Sequence, residues 1–232
     1  MVPDTFLFYE ALKALRVKSY CQAIITTDNE EPSHAAENGE EEFEEPPEGE
    51  GNEPQKVENF TGVLRDLTVE IADPKAVESL HQQGYFGEHA EGGPLVLSPE
   101  EVLVLLERKR LQVVGIDNVE LNFEALSKLF CEKIAALWIK YLVYRDLRTR
   151  GYIVRKGIGD GIEYRVFKRG AKKGEDEAKY LIAIVIEGKN VELRVLDKIT
   201  KYSVSSRKKL VLAVVDRLGE ITYYSVDQYN LK

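Results

Sequence analysis

The sequence predicts an α/β (α+β) protein, with a small N-terminal α/β unit followed by a larger unit in which helices flank a mixed sheet. Three observations carry that expectation. Two strand-then-helix pairs, each with a proline at the helix start, fill residues 58–122. A long helical stretch then gives way to strand-like runs separated by glycines and charged turns. Ahead of both lies an acidic, low-complexity stretch that contains almost nothing to bury.

Residues 1–27 are expected to form a helical segment, because Phe6, Leu7, Ala11, Leu12 and Leu15 recur at helical spacing between Thr5 and Ala23. Asp4 precedes these apolar positions and no small-residue cleavage site follows, so the start does not read as a signal peptide. No apolar run approaches the roughly 18 residues that span a bilayer. The expectation is a cytoplasmic protein with no membrane partner.

Residues 28–57 read as a disordered acidic linker. Asp28 to Glu53 holds twelve acidic residues and no Lys or Arg. The sharper reading is an RNA mimic that screens a basic module against non-specific binding. The whole chain carries −8, which leaves +4 for everything outside that stretch. From Ala136 to Lys232 there are 21 Lys and Arg against 12 Asp and Glu, a surplus of +9. An acidic tether on a basic module is the electrostatic outline of a nucleic-acid binder.

Residues 58–122 form the small α/β unit. "GVLRDLTVEIA" alternates like a strand, and "DPKAVESLHQQG" reads as a helix with Asp73 as N-cap, Pro74 at its first position and Gly84 at its end. "GGPLVLSPEEVLVLLERKRLQVV" adds a short strand, then a helix capped by Ser98 with Pro99 next and Glu101 closing a capping box. A unit this small is expected to lean on its neighbour for stability.

Residues 123–232 begin with a helix from Phe123 to Arg150, stopped by Gly151. The strand-like runs "YIVRKG", "GIEYRVFKRG", "KYLIAIVIEG", "VELRVLDKIT", "KLVLAVVDRLGE" and "ITYYSV" follow. No helix follows "GIGDG", so Gly159 to Gly161 is expected to make a hairpin turn rather than a phosphate-binding loop.

Side chains that do chemistry are sparse. Cys21 and Cys131 stand alone in apolar surroundings and read as buried thiols. Neither shows metal-ligand spacing, and no metal or cofactor is expected. "FKRGAKKGEDEAKY", residues 167–180, has the look of an active-site rim, yet it contains no histidine; His34, His81 and His89 all lie upstream.

The runs "YLVYRDLRTRGYIVRKG", "GIEYRVFKRG" and "SSRKKLVLAVVDRLGEITYYSV" together resemble the C-terminal domain of archaeal tRNA-splicing endonucleases, with order and spacing kept from Ala136 to Val226. "LSPEEVLVLLERKRL" is similar to that family's N-terminal domain, whereas the first helix and the acidic linker fall outside its pattern. The resemblance implies cleavage of precursor tRNA at bulge-helix-bulge elements, leaving a 2′,3′-cyclic phosphate and a 5′-hydroxyl without a metal. It assigns a tyrosine, a histidine and a lysine to that reaction. Their positions here hold Phe167, Glu177 and Lys208. Phenylalanine accepts no proton, and an exposed carboxylate makes a poor acid at neutral pH. Losing even one such group costs on the order of 100-fold in rate.

The family also contains heterotetramers of catalytic and structural subunits, and this chain resembles the structural kind. The expected partners are precursor tRNA and a homologous catalytic subunit in a 2+2 assembly. Lys201, Arg207, Lys208 and Lys209 are expected to face RNA. Glu187 and Glu192 are expected to dock with a partner, as are Ile221, Tyr223 and Tyr224 of the last strand. Two alternatives stay open: a competent lyase that uses Tyr164 with Glu177 and Lys208, and a stand-alone RNA-binding protein on the same fold.

Overall fold

The computed structural model of the chain describes residues 59–89, 93–171 and 177–229. The predicted first helix, the acidic linker, Cys21 and His34 lie outside them. The described residues all belong to one compact unit, Glu53–Lys232.

The first sheet has six strands: β1 (Phe60–Arg65), β2 (Thr68–Ile71), β3 (Glu88–His89), β4 (Leu95–Leu97), β5 (Leu111–Val114) and β6 (Glu120–Leu121). Their spatial order is β3-β4-β2-β1-β5-β6, with β1 and β5 parallel and every other pair antiparallel. The single strand expected in "GVLRDLTVEIA" is instead a hairpin. Arg65 pairs with Thr68, and Asp66 takes the left-handed conformation (φ 52°) that short polar side chains tolerate. Apolar alternation runs on through such a turn and so hides it. At Gly62 a Cβ would lie 2.4 Å from Val69 Cγ1, so the buried Val69 side chain fills the space that a larger residue on β1 would need.

Both predicted helix starts are present. Asp73 accepts a bond from the Lys75 N–H, and helix α1 (Pro74–Val77) runs on as a π-helical coil from Glu78 to Gln83, ending at Gly84. Helix α2 (Pro99–Glu107) starts from Ser98 with the full capping box.

The long helix expected from Phe123 to Arg150 is two helices, α3 (Phe123–Lys133) and α4 (Leu137–Thr149). Ile134 is extended and Ala136 left-handed (φ 57°) at the break. An unbroken helix would measure about 40 Å, while α2, on which both segments pack, is about 14 Å long. Breaking the helix lets both halves cover α2.

The second sheet has five strands: β7 (Ile153–Lys156), β8 (Tyr164–Phe167), β9 (Tyr180–Ile186), β10 (Lys209–Val215) and β11 (Ile221–Val226). Their order is β11-β10-β9-β8-β7, and β9 and β10 are parallel. Gly159 and Gly161, both at positive φ, turn the β7–β8 hairpin as expected. "VELRVLDKIT" does not form a strand; it opens helix α5 (Leu193–Ser205). Two physical facts decide this: Leu196, Ile199, Thr200 and Ser203 fall on one helical face, and parallel neighbours such as β9 and β10 need a crossover rather than a hairpin.

One hydrophobic core runs through both sheets, from Phe60 and Leu97 through Phe130 and Tyr141 to Val166 and Val215. A smaller cluster, Ile162, Leu181, Ala183, Ile199 and Leu210, lies on the α5 face of the second sheet. Cys131 is half-buried at the edge of the main core, more accessible than expected.

The two sheets are joined by a buried polar cluster around Glu101, which is 7% exposed. Its carboxylate accepts from the N–H groups of Gly87 (2.8 Å) and Ser98 (2.9 Å) and from the Tyr144 hydroxyl (3.4 Å). Arg148 donates to the Gly84 carbonyl at 2.6 Å and stacks 4.0 Å over Phe86, while Arg155 donates to the Gly87 carbonyl. Burial pushes the Glu101 carboxyl above the ordinary glutamate value, against the pull of the Ser98 and Gly87 N–H groups and of Arg155.

Removing this acceptor orphans buried donors and leaves two arginines short of a counter-charge. Glu101→Ala is expected to cost about 3 kcal/mol of folding stability by urea titration. Lys201→Ala, which deletes only the exposed Lys201–Asp197 pair, is expected to change stability by less than about 0.5 kcal/mol.

Candidate functional site

The end of the second sheet where β8 stops and β9 and β10 start gathers the three positions singled out in the sequence. Val166 pairs with Tyr180, and Tyr180 with Lys209. One residue further out, the same register aligns Phe167, Lys179 and Lys208. The Lys179 N–H donates to the Val166 carbonyl (2.9 Å) and the Lys209 N–H to the Lys179 carbonyl (3.0 Å), so the ladder holds as far as Lys179. Alternation along the strands puts Phe167, Lys179 and Lys208 on the face that carries α5.

Lys208 is placed by the way α5 ends. The Arg207 N–H bonds the Val204 carbonyl and the Lys208 N–H bonds the Ser203 carbonyl, which together make a Schellman motif. The left-handed residue of that motif is Arg207 (φ 54°), where glycine would fit without strain. Lys208 is therefore held at a helix C-terminus, where the dipole favours a cation. Its Nζ donates to the Ser206 carbonyl at 3.2 Å.

Glu177 sits 3.6 Å from Lys208 Nζ; its side chain is 91% exposed and that of Lys208 is 20% exposed. Phe167 is half-buried opposite Ile153 on β7. The structure thus brings Glu177 and Lys208 into an ion pair and places Phe167 at the same sheet end. What this set can do follows from its chemistry. Lys208 can hold an anion; the phenyl ring can transfer no proton.

Tyr164 does not join them. It points to the opposite face, is nearly fully buried, and donates to the Lys140 carbonyl at 3.0 Å. Burial raises its hydroxyl well above the usual tyrosine value and keeps it protonated.

The other expected contact residues scatter. Arg207 and Lys209 are exposed beside Lys208. Lys201 lies about 10 Å further back along α5, paired with Asp197 at 2.6 Å. Glu187 and Glu192 are exposed at the far end of β9, and Glu192 is the N-cap residue of α5. On the edge strand β11, Ile221 and Tyr223 pack towards the core, and the Tyr223 hydroxyl donates to Asp146 at 2.7 Å. Tyr224 faces the other way and is 54% exposed. Lys179 was not foreseen, although counting alternate residues back from Leu181 would have found it. Among the described residues, no three or more His, Cys, Asp and Glu side chains are placed to hold a metal ion, and no helix is long and apolar enough to cross a membrane.

Comparison with known proteins gives consistent matches. Residues 137–223 match the family described as tRNA intron endonuclease, catalytic C-terminal domain, and residues 60–127 match tRNA intron endonuclease, N-terminal domain. The chain is 35% identical to the tRNA-splicing endonuclease of Methanothermobacter thermautotrophicus over 166 residues, which is 72% of this chain and 95% of that protein. It is 36% identical to that of Thermococcus onnurineus over 153 residues, 66% of this chain and 86% of that one. With the Methanococcus vannielii protein, identity is 33% over 168 residues, covering 72% and 93%.

The left-handed arginine generates a test. Arg207→Gly is expected to raise folding stability by about 1 kcal/mol, because glycine adopts that conformation without strain.

Proposed function

The chain belongs to the tRNA intron endonuclease family, and we propose that it acts there as the non-catalytic structural subunit of a tRNA-splicing endonuclease. The observation that carries this reading is Phe167, which ends β8 where the family resemblance calls for a phenol. The phenyl ring at this position cannot take the proton of a ribose 2′-hydroxyl. Glu177, exposed beside Lys208, stands where the resemblance assigns the histidine that protonates the leaving 5′-oxygen. The alternative phenol offered by the sequence, Tyr164, donates its hydroxyl to the Lys140 carbonyl.

What the chain retains suits a supporting role. Arg207 and Lys209, exposed at this sheet end, offer cations for RNA phosphates. Among the described residues no strand covers the outer edge of β11, whose backbone groups suit strand pairing, with Tyr224 exposed beside it. That edge fits a homologous subunit, and the expected assembly is two copies of this chain with two of a catalytic partner.

The isolated chain is expected to leave a bulge-helix-bulge precursor tRNA uncut in metal-free buffer, and to support cleavage when mixed with a homologue that keeps Tyr, His and Lys. Phe167→Tyr combined with Glu177→His is expected to raise cleavage by the isolated chain by about 100-fold or more. Robust cleavage by the unmodified chain alone would sink the reading.

A further inference from the structure

The contact between Glu177 and Lys208 has a sign that matters beyond the missing acid. Lys208 is only 20% exposed, and its Nζ already donates inward to the Ser206 carbonyl. The Glu177 carboxylate stands 3.6 Å from this ammonium on a side chain that is 91% exposed. An RNA phosphate bound to this ammonium at about 2.8 Å would share it with a second anion.

We propose that Glu177 is a built-in competitor for RNA phosphate: its carboxylate stands against the Lys208 ammonium and weakens phosphate binding there. The inference rests on the non-catalytic reading above and adds to it a function for the residue at the acid position. A silent site that still bound the scissile phosphate would hold precursor tRNA unproductively. A carboxylate there directs the reactive phosphate to a partner's competent site, while Arg207 and Lys209, exposed on either side of Lys208, remain available to neighbouring phosphates.

The size of the effect follows from the distances. Two like charges about 4–6 Å apart in water repel enough to weaken binding by on the order of threefold to fivefold. The effect should fade as salt shortens the screening length.

The test is a double-mutant cycle in the full chain, read as affinity for a bulge-helix-bulge RNA at low salt, with cleavage monitored in the same samples. Glu177→Gln keeps the shape of an exposed side chain and removes only its charge. The expected result is that E177Q tightens RNA binding by about threefold to fivefold, and that the gain vanishes when Lys208→Gln is also present. Unchanged affinity in E177Q, or an equal gain with and without Lys208, in a chain that cuts nothing would overturn this inference alone. Cleavage by the unmodified chain that disappears in E177Q would make Glu177 a working acid, and would overturn both this inference and the reading beneath it.

Discussion

The candidate site depends on one parallel strand pair, β9 with β10, and on the helix that joins them. A hairpin connection would bring the chain back at the far end of the sheet. The α5 crossover instead returns it to the end where β9 began, so Lys208 enters beside the residues that precede β9. A register shift of one residue would turn Lys208 to the opposite face. Two local devices prevent that: the Schellman motif that ends α5, and the Lys209 N–H bond to the Lys179 carbonyl. The left-handed Arg207 is the local cost of this arrangement.

The second constraint is the Glu101 cluster. The strand pair fixes the site internally, and Glu101 fixes the sheet that carries it against the N-terminal unit. A buried carboxylate is costly unless its lone pairs are filled, and here two backbone N–H groups and a tyrosine hydroxyl fill them. Because those donors come from the β3 approach, the start of α2 and the middle of α4, the cluster is satisfied in only one docking of the two halves. The Tyr223 hydroxyl bond to Asp146 ties the edge strand β11 to the end of α4.

Much of this was legible in the sequence, for reasons tied to particular residues. Asp73–Pro74, Ser98–Pro99–Glu101 and the Gly159–Gly161 turn are local signals, and each stands where it was read. The positions of Phe167, Glu177 and Lys208 came from spacing along a resemblance, and the fold brings Glu177 and Lys208 into contact beside the end of β8. What was misread depends on distant contacts. Nothing in "KIAAL" marks the break between α3 and α4, which lets both segments pack on α2. The β-branched "VELRVLDKIT" has the composition of a strand and becomes a helix because its buried face has helical spacing and its neighbours run parallel. Glu101 was legible as a cap, but its partners Gly87 and Tyr144 lie 14 and 43 residues away.

The central claim is that this chain lends its site's architecture and charge to an endonuclease whose chemistry is carried out elsewhere. Counting competent sites tests it most directly. In the assembled enzyme, with precursor tRNA in excess and product release slow, the amplitude of the first cleavage burst reports how many chains can cut. The account predicts a burst of one cleavage for every two chains in the complex. A burst of one cleavage per chain would contradict it.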